Sequence, residues 1–304
     1  MSKKHAYLIL AHSEPEILGI LVSLLDDERN DIFIHIDKKS NIMDFLRVKT
    51  DRSNLFFLEE RIDAKWGGES LVEIEFLLMK TARNKSNYAY YHIISGVDLP
   101  LHSQDYIHSF IESLGGDKEF VSIAADSDLD NKKDILHKTD QYWLFTDNIR
   151  RNGTIKSFVS NFLASVFVNL QRIIGIKRKY PFKIRKSCQW MSITGNLCDY
   201  ILKNEESILK TFKYTLCPDE FAIQAFILNS EFNKKRYLPN EPSKSDMRLV
   251  DWERGTPYTW QTSDYKELIK SDKFFARKFS SADIKIVYAI YRHVMEEKFN
   301  DKKQ

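Results

Sequence analysis

The sequence predicts an α/β fold, a mostly parallel sheet flanked by helices. Three observations carry that reading. Short apolar runs alternate with helix-spaced patterns through the first third of the chain, the signature of strands joined by crossover helices. The alternation resumes after Ser187. The composition, 43% hydrophobic and 29% charged over 304 residues, lies within globular usage and is long enough for a substantial core.

The elements follow in order. Ala6 to Ala11 reads as a strand, and Pro15 to Leu25 as a helix with Ile17, Leu18, Leu21, Val22 and Leu25 on one face. Strands are expected at Ile32 to Ile36 and Leu55 to Leu58. After Trp66-Gly67-Gly68, the residues Leu71, Ile74, Leu77, Leu78 and Ala82 mark another helix, and Tyr90 to Ser95 is the next buried strand. Phe120 to Ala124 reads as a strand. In the second half, strands are expected at Cys188 to Ile193 and Arg248 to Trp252, with helices at Asn196 to Leu202, after Cys217-Pro218, at Ser263 to Ile269 and around Val287 to Met295. No repeat or low-complexity linker separates the halves, so one unit over 1–304 is expected.

The net charge of +3 is too small to argue for nucleic acid, and no nucleic-acid partner is expected. It hides a polarised segment. From Asn148 to Lys186 there are ten Lys or Arg and no Asp or Glu. Within it, Ile155, Phe158, Val159, Phe162, Leu163, Val166, Phe167, Leu170, Ile173 and Ile174 form one stripe at helical spacing. Two readings fit: a helix packed on the core, or a basic apolar face lying on an anionic membrane. The three cysteines form no metal-type or redox pair and read as reduced thiols of a cytoplasmic protein. No run is long enough to span a bilayer.

Several chemistries lose their flags. Neither Gly-x-Gly-x-x-Gly nor the P-loop pattern is present, nor His-Glu-x-x-His, nor Gly-x-Ser-x-Gly. What remains are polar residues at the ends of strands and helices. Ile36-Asp37-Lys38-Lys39 and Ser95-Gly96-Val97-Asp98-Leu99-Pro100 end buried strands, where acids meet bound ligands in open α/β sheets. Cys217-Pro218-Asp219-Glu220 reads as a helix N-terminus with two carboxylates, either complementing the macrodipole or supplying an ionised base. Phe274-Phe275-Ala276-Arg277-Lys278-Phe279 sets two cations among aromatics, not far in sequence from Arg248 and Arg254. Such cations can neutralise a departing diphosphate. Asp126-Ser127-Asp128 leaves a metal-binding acidic pair open as an alternative.

Taken in order, Ala6-Tyr7-Leu8-Ile9-Leu10-Ala11-His12, Ile34-His35-Ile36-Asp37, Trp66-Gly67-Gly68 and the Ser95 to Pro100 motif resemble one family. Ser187-Cys188-Gln189-Trp190, Cys217-Pro218-Asp219-Glu220 and Phe275-Ala276-Arg277-Lys278-Phe279 continue the match. The chain resembles the core-2/I-branching β-1,6-N-acetylglucosaminyltransferases (glycosyltransferase family 14), which also include the peptide O-xylosyltransferases.

The resemblance implies a glycosyltransferase A fold with a Rossmann-like sheet. It further implies a UDP-sugar donor, here UDP-N-acetylglucosamine, inversion at the anomeric carbon, and catalysis without a metal or other cofactor. By motif, Glu220 matches the catalytic base, Lys278 a diphosphate-binding cation, and Asp37 and Trp66 the nucleotide site. Asp98 and Trp190 fall around the sugar-binding cleft. Arg254 is taken as the second diphosphate cation, with Arg248 and Arg277 behind it. A nucleotide-binding half over about 1–125, an acceptor and catalytic half over about 187–282, and a basic amphipathic insertion at 148–186 follow. The expected partner is a glycan or lipid-linked oligosaccharide acceptor of bacterial surface polysaccharide, with peripheral contact to anionic membrane through 150–186. The competing expectations are a metal-dependent transferase using Asp126 and Asp128, and a carbohydrate- or membrane-binding protein without turnover.

Overall fold

In the computed structural model, which describes residues 4–125, 135, 137–144, 146, 149 and 155–301, the first strand shows why the alternation was readable. Strand β1 (His5–Ala11) is buried along its whole length. Its side chains alternate between faces, as a pleated strand requires. Tyr7, Ile9 and Ala11 join a core with Ile17, Leu18 and Leu21 of α1 (Pro15–Leu25) and Ile286, Val287 and Ile290 of the closing helix. Ala6, Leu8 and Leu10 join a second core with Val72, Phe76 and Met79 of α2 (Ser70–Lys85).

β1 is the middle strand of its five-stranded sheet. Strands β2 (Asn30–Ile36), β3 (Asn54–Phe57) and β4 (Tyr90–Ser95) run parallel to β1, with β3 paired to β2 and with Tyr7 opposite Ile32 on one side and His92 on the other. Strand β6 (Met191–Thr194) adds antiparallel to β4. Because the chain leaves β1 toward β2 on one side and later returns as β4 on the other, the carboxyl ends of these strands border a crevice.

A three-stranded sheet lies at this edge. It has the order β5-β8-β7, from β5 (Leu99–Pro100), β7 (Arg248–Val250) and β8 (Phe275–Arg277). The two sheets exchange strands across the expected halves, since β6 joins the first sheet and β5 the second. Sequence reading missed β5 and β8 because strands of two and three residues carry no period. It also missed α3 (Gln104–Ser113), whose inward face includes the polar Gln104 and His108. The Gln104 carbonyl oxygen accepts from Tyr7 Oη at 2.7 Å and Asn30 Nδ2 at 2.8 Å, so the break in the apolar stripe is a buried hydrogen-bond network.

Other expectations need adjusting. Phe120 to Ala124 forms only single bridges, Phe120 to Ser192 and Ile123 to Ser187. The strand expected from Cys188 starts at Met191; ahead of it the Ser187 N–H donates to Glu220 O at 3.1 Å and the Cys188 N–H to Ser122 O at 3.4 Å, away from β4. Helix α4 (Ile155–Ile174) forms as expected, but most of its apolar stripe points outward. The inward face is Ala164, Val168 and Gln171, packed beside Trp143, Leu216 and Cys217. Phe162 is 60% exposed and Ile173 82%, whereas Ala164 is 1% exposed. The core-packing reading therefore fails for most of the stripe, Phe167 being half-buried. Helices α5 (Gly195–Lys203), α6 (Glu205–Phe212), α7 (Ala222–Leu228) and α8 (Ile284–Asp301) complete the layers. The cysteines carry free thiols.

Candidate active site

The carboxyl ends of β1, β2 and β4 open onto a cleft of about 190 Å³. Ala11, His12 and Ser13 follow β1, and Ser95, Gly96 and Val97 end β4. A methyl group on Gly96 would stand 2.7 Å from Ala11 Cβ, so glycine is what lets this turn close against the neighbouring strand end.

His35 and Asp37 lie two residues apart at the end of β2 and both line the cleft. Asp37 is buried and accepts the Lys39 backbone N–H at 2.8 Å. The Lys39 ammonium stands 3.5 Å from its other oxygen. His35 Nε2 accepts the Ile62 N–H at 2.9 Å, and burial brings its pKa down to about 4, so the ring is neutral. Trp66 presents a half-exposed indole to the same cleft.

Arg277, at the end of β8, forms another wall with Trp190. Its guanidinium lies 4.2 Å from the indole centroid. Nη1 donates to Ser95 Oγ at 2.7 Å and to Asp98 Oδ1 at 3.2 Å. Asp98 also accepts Ser95 N–H at 2.9 Å and Ser95 Oγ at 2.5 Å, and is 1% exposed. Its carboxylate is thus turned into the protein, where it holds Arg277.

The remaining wall contains Gln189 and Asp219. Asp219 Oδ1 is buried without a hydrogen-bond partner, and the Glu75 carboxyl is buried against Gln189. Burial, with the charge of Glu220 adding, pushes Asp219 up to about 7. Burial drives Glu75 well above the usual carboxylate range, and Asp219 adds to the effect. Both carboxyls are set to carry protons where an ordinary surface acid would not.

Asp219 and Glu220 sit on a 3₁₀ turn, Pro218–Glu220, rather than in the first turn of an α-helix. Phe221, with φ −139°, separates it from α7. The turn is fixed from three directions. Cys217 N–H donates to Gly67 O at 3.0 Å, joining two motifs 150 residues apart in sequence. Ser187 N–H donates to Glu220 O. Lys138 Nζ donates to Glu220 Oε2 at 2.7 Å. Glu220 itself is not among the cleft-lining residues, whereas its neighbour Asp219 is.

Arg254, expected as the second diphosphate cation, stands away from the cleft. Its guanidinium is held by Asp251, Asp264 and Glu267 and lies over Tyr258 and Trp260, and it does not line the cleft. Three carboxylates leave it no net charge to offer an anion. Arg248 is buried and donates to Asp246 O, Met191 O and Ser192 Oγ. Arg277 is the candidate arginine at the cleft. Lys278 follows it outside the cleft lining, and the His12 ring on the cleft wall feels both charges: desolvation lowers its pKa most, against Asp37, with Arg277, Lys39 and Lys278 lowering it further.

Asp126 and Asp128 lie outside the described residues. Among the described residues, no group of three or more His, Cys, Asp or Glu is placed to hold a metal ion. Also among them, no helix is long and apolar enough to cross a membrane.

The family described as Core-2/I-Branching enzyme matches residues 5–277. The chain belongs to the core-2/I-branching enzyme family. It is a glycosyltransferase of that type, and its mostly parallel five-stranded sheet flanked by helices is a glycosyltransferase A-type fold. Membership implies a nucleotide-sugar donor and a glycan acceptor. No curated protein matches the sequence significantly. In this branching-family chain the structure gathers Asp37, Trp66 and Trp190 at one cleft. It adds Gln189 and His35, which the sequence motifs did not single out, and brings forward Arg277 and Asp219, which the sequence offered only as alternatives. Arg277 and Gln189 each adjoin a selected residue, and the deciding information, which neighbour faces the cleft, is a matter of strand and turn geometry.

Proposed function

We propose that the chain transfers N-acetylglucosamine from UDP-N-acetylglucosamine to a hydroxyl of a glycan acceptor, with inversion and without a metal. The observation that carries the reading is the cleft itself, where a buried acid, two indoles and the Arg277 guanidinium converge beside the Asp219-Glu220 turn. The nucleotide lies against Asp37 and Trp66, and the sugar against Trp190 and Gln189. Glu220, oriented by Lys138, takes the acceptor hydroxyl proton. The acceptor oxygen bonds to the anomeric carbon from the face opposite UDP while the bond from that carbon to the diphosphate oxygen breaks. The electron pair leaves with UDP, whose charge Arg277 and Lys278 neutralise. The proton passes from Glu220 to water. The acceptor is proposed to belong to a bacterial surface polysaccharide assembled on a lipid carrier at the cytoplasmic face.

UDP release from a panel of nucleotide sugars, with and without EDTA, tests the reading. Glu220→Gln keeps the side-chain shape and loses basicity, so turnover is expected to fall by about 10² to 10⁴ while UDP binding stays near normal. Near-normal turnover in the folded variant removes Glu220 from the mechanism and makes Asp219 the carboxylate to test. Activity that vanishes with EDTA and returns with manganese overturns the metal-free reading.

A further inference from the structure

We propose that α4 seats the protein on an anionic lipid surface, with its outward apolar face in the interface and the basic turn after it against the headgroups. This deepens the functional reading by naming the surface on which its acceptor is presented. Phe158, Phe162, Val166, Leu170 and Ile173 form one exposed ridge, and Val159, Leu163 and Ile174 broaden it. A row of exposed aromatic and aliphatic side chains on one helix is uncommon on a protein that meets only water. The helix cannot rotate to hide them. Gln171 is pinned on the opposite face, accepting Tyr142 N–H at 2.9 Å and donating to Tyr142 O at 2.8 Å, beside Ala164 and Val168.

The charge around the ridge selects the occupant. Its sequence segment carries ten cations and no acid from Asn148 to Lys186, and Arg172, Lys177, Lys179 and Lys183 are exposed. A second copy docking through the same face would set this basic surface against itself, which a two-fold interface cannot avoid. An anionic bilayer instead complements both the apolar ridge and its basic end. Arg178 does not share this role. Its guanidinium donates to Thr211 O, Tyr214 O and Thr215 Oγ1 and lies over Tyr142 and Tyr180, so it anchors the turn and is not available to headgroups.

The position of the helix gives the docking a purpose. Its inner face packs in one cluster with Leu216 and Cys217, and Cys217 immediately precedes the Pro218–Glu220 turn. A lipid surface under α4 therefore lies close to the turn proposed to activate the acceptor. A glycan carried on a lipid is brought to Glu220 by two-dimensional encounter.

The test is flotation of the full chain with phosphatidylcholine vesicles and with vesicles containing phosphatidylglycerol, at low and high salt, without donor or acceptor. The expected result is binding to the phosphatidylglycerol vesicles alone, weakened by salt. Binding should fall at least tenfold in Phe158→Ser/Phe162→Ser/Ile173→Ser and in Lys177→Ser/Lys179→Ser/Lys183→Ser. Both variants should keep the wild-type melting temperature and wild-type UDP release with a water-soluble acceptor. A monomeric wild type that ignores both vesicles overturns the proposal. So does concentration-dependent dimerisation that the apolar variant abolishes, which assigns the face to a second copy, or equal vesicle binding by all three proteins. A chain that binds vesicles but releases no UDP from any donor fails the functional reading and leaves this inference standing.

Discussion

The cleft edge and α4 are both built from regular, strongly patterned sequence, yet the pattern meant different things in the two places. Along β1, both sets of alternating side chains enter cores, so every apolar residue is buried and the polar residues at the strand ends are left to line the cleft. Along α4, the apolar stripe faces away from the protein and a narrow face of Ala164, Val168 and Gln171 does the packing. A strand in the middle of a sheet has no outside, whereas a helix on the surface has one. Periodicity therefore establishes that α4 is a helix with two unlike faces, and leaves open which of them is inward.

The sharpest way to break this comparison is to charge the two faces of α4 in turn. Val168 is 3% exposed, and Val168→Asp leaves an unpaired charge in the packed face, for an expected loss on the order of 3–5 kcal/mol in denaturant unfolding. Phe162→Asp, on the outward face, should shift stability by no more than about 0.5 kcal/mol. Equal losses would mean the outward face is covered in solution.

A comparable effect is expected at the cleft, on rate instead of stability. Arg277→Ala removes the cleft-wall cation and should lower turnover by about 10² to 10³, the usual result of deleting a group that stabilises developing negative charge. Arg254→Ala, within its ring of carboxylates, should leave turnover unchanged. The reverse pattern in steady-state kinetics would restore Arg254 as the diphosphate cation. Asp98→Asn should give a smaller loss than Arg277→Ala, since it loosens Arg277 without removing it, and the loss should fall on turnover with the nucleotide's binding retained.

A smaller effect concerns the polar interior of the sheet. His108 is buried, bonded through Nε2 to Asn30 Oδ1 at 2.9 Å, and burial, with Arg29 adding, brings its pKa down to about 4. His35 is lowered to about 4 as well. A histidine whose folded pKa lies below its unfolded value binds fewer protons in the folded state, so stability rises with pH between the two. Stability is therefore fully present above about pH 6.5 and lost as pH falls toward 4, by about 2 kcal/mol per histidine at pH 5. Urea midpoints at pH 7 and pH 5 measure it, and His108→Gln should flatten the dependence. An unchanged slope in that variant would show that other groups govern acid sensitivity.

The five-stranded sheet, most of its flanking helices and the family were legible in the sequence, as were the motifs that bring Asp37, Trp66, Trp190 and Asp219 to the cleft. Asp37 is announced locally by a buried strand ending in a polar turn, and Asp219-Glu220 by a proline starting a turn, whereas Trp66 and Trp190 were marked by the family motifs alone. Tertiary structure alone decided the partners. It tied Cys217 to Gly67, turned Asp98 inward onto Arg277, enclosed Arg254 with three acids, and set Lys138 on Glu220. It also decided that α4 faces outward. Apart from the ring around Arg254, whose members lie close to it in sequence, these are contacts between residues far apart in the chain, and their direction depends on which side of an element is covered. A local pattern cannot carry that information, because a side chain's environment is set by what packs against it.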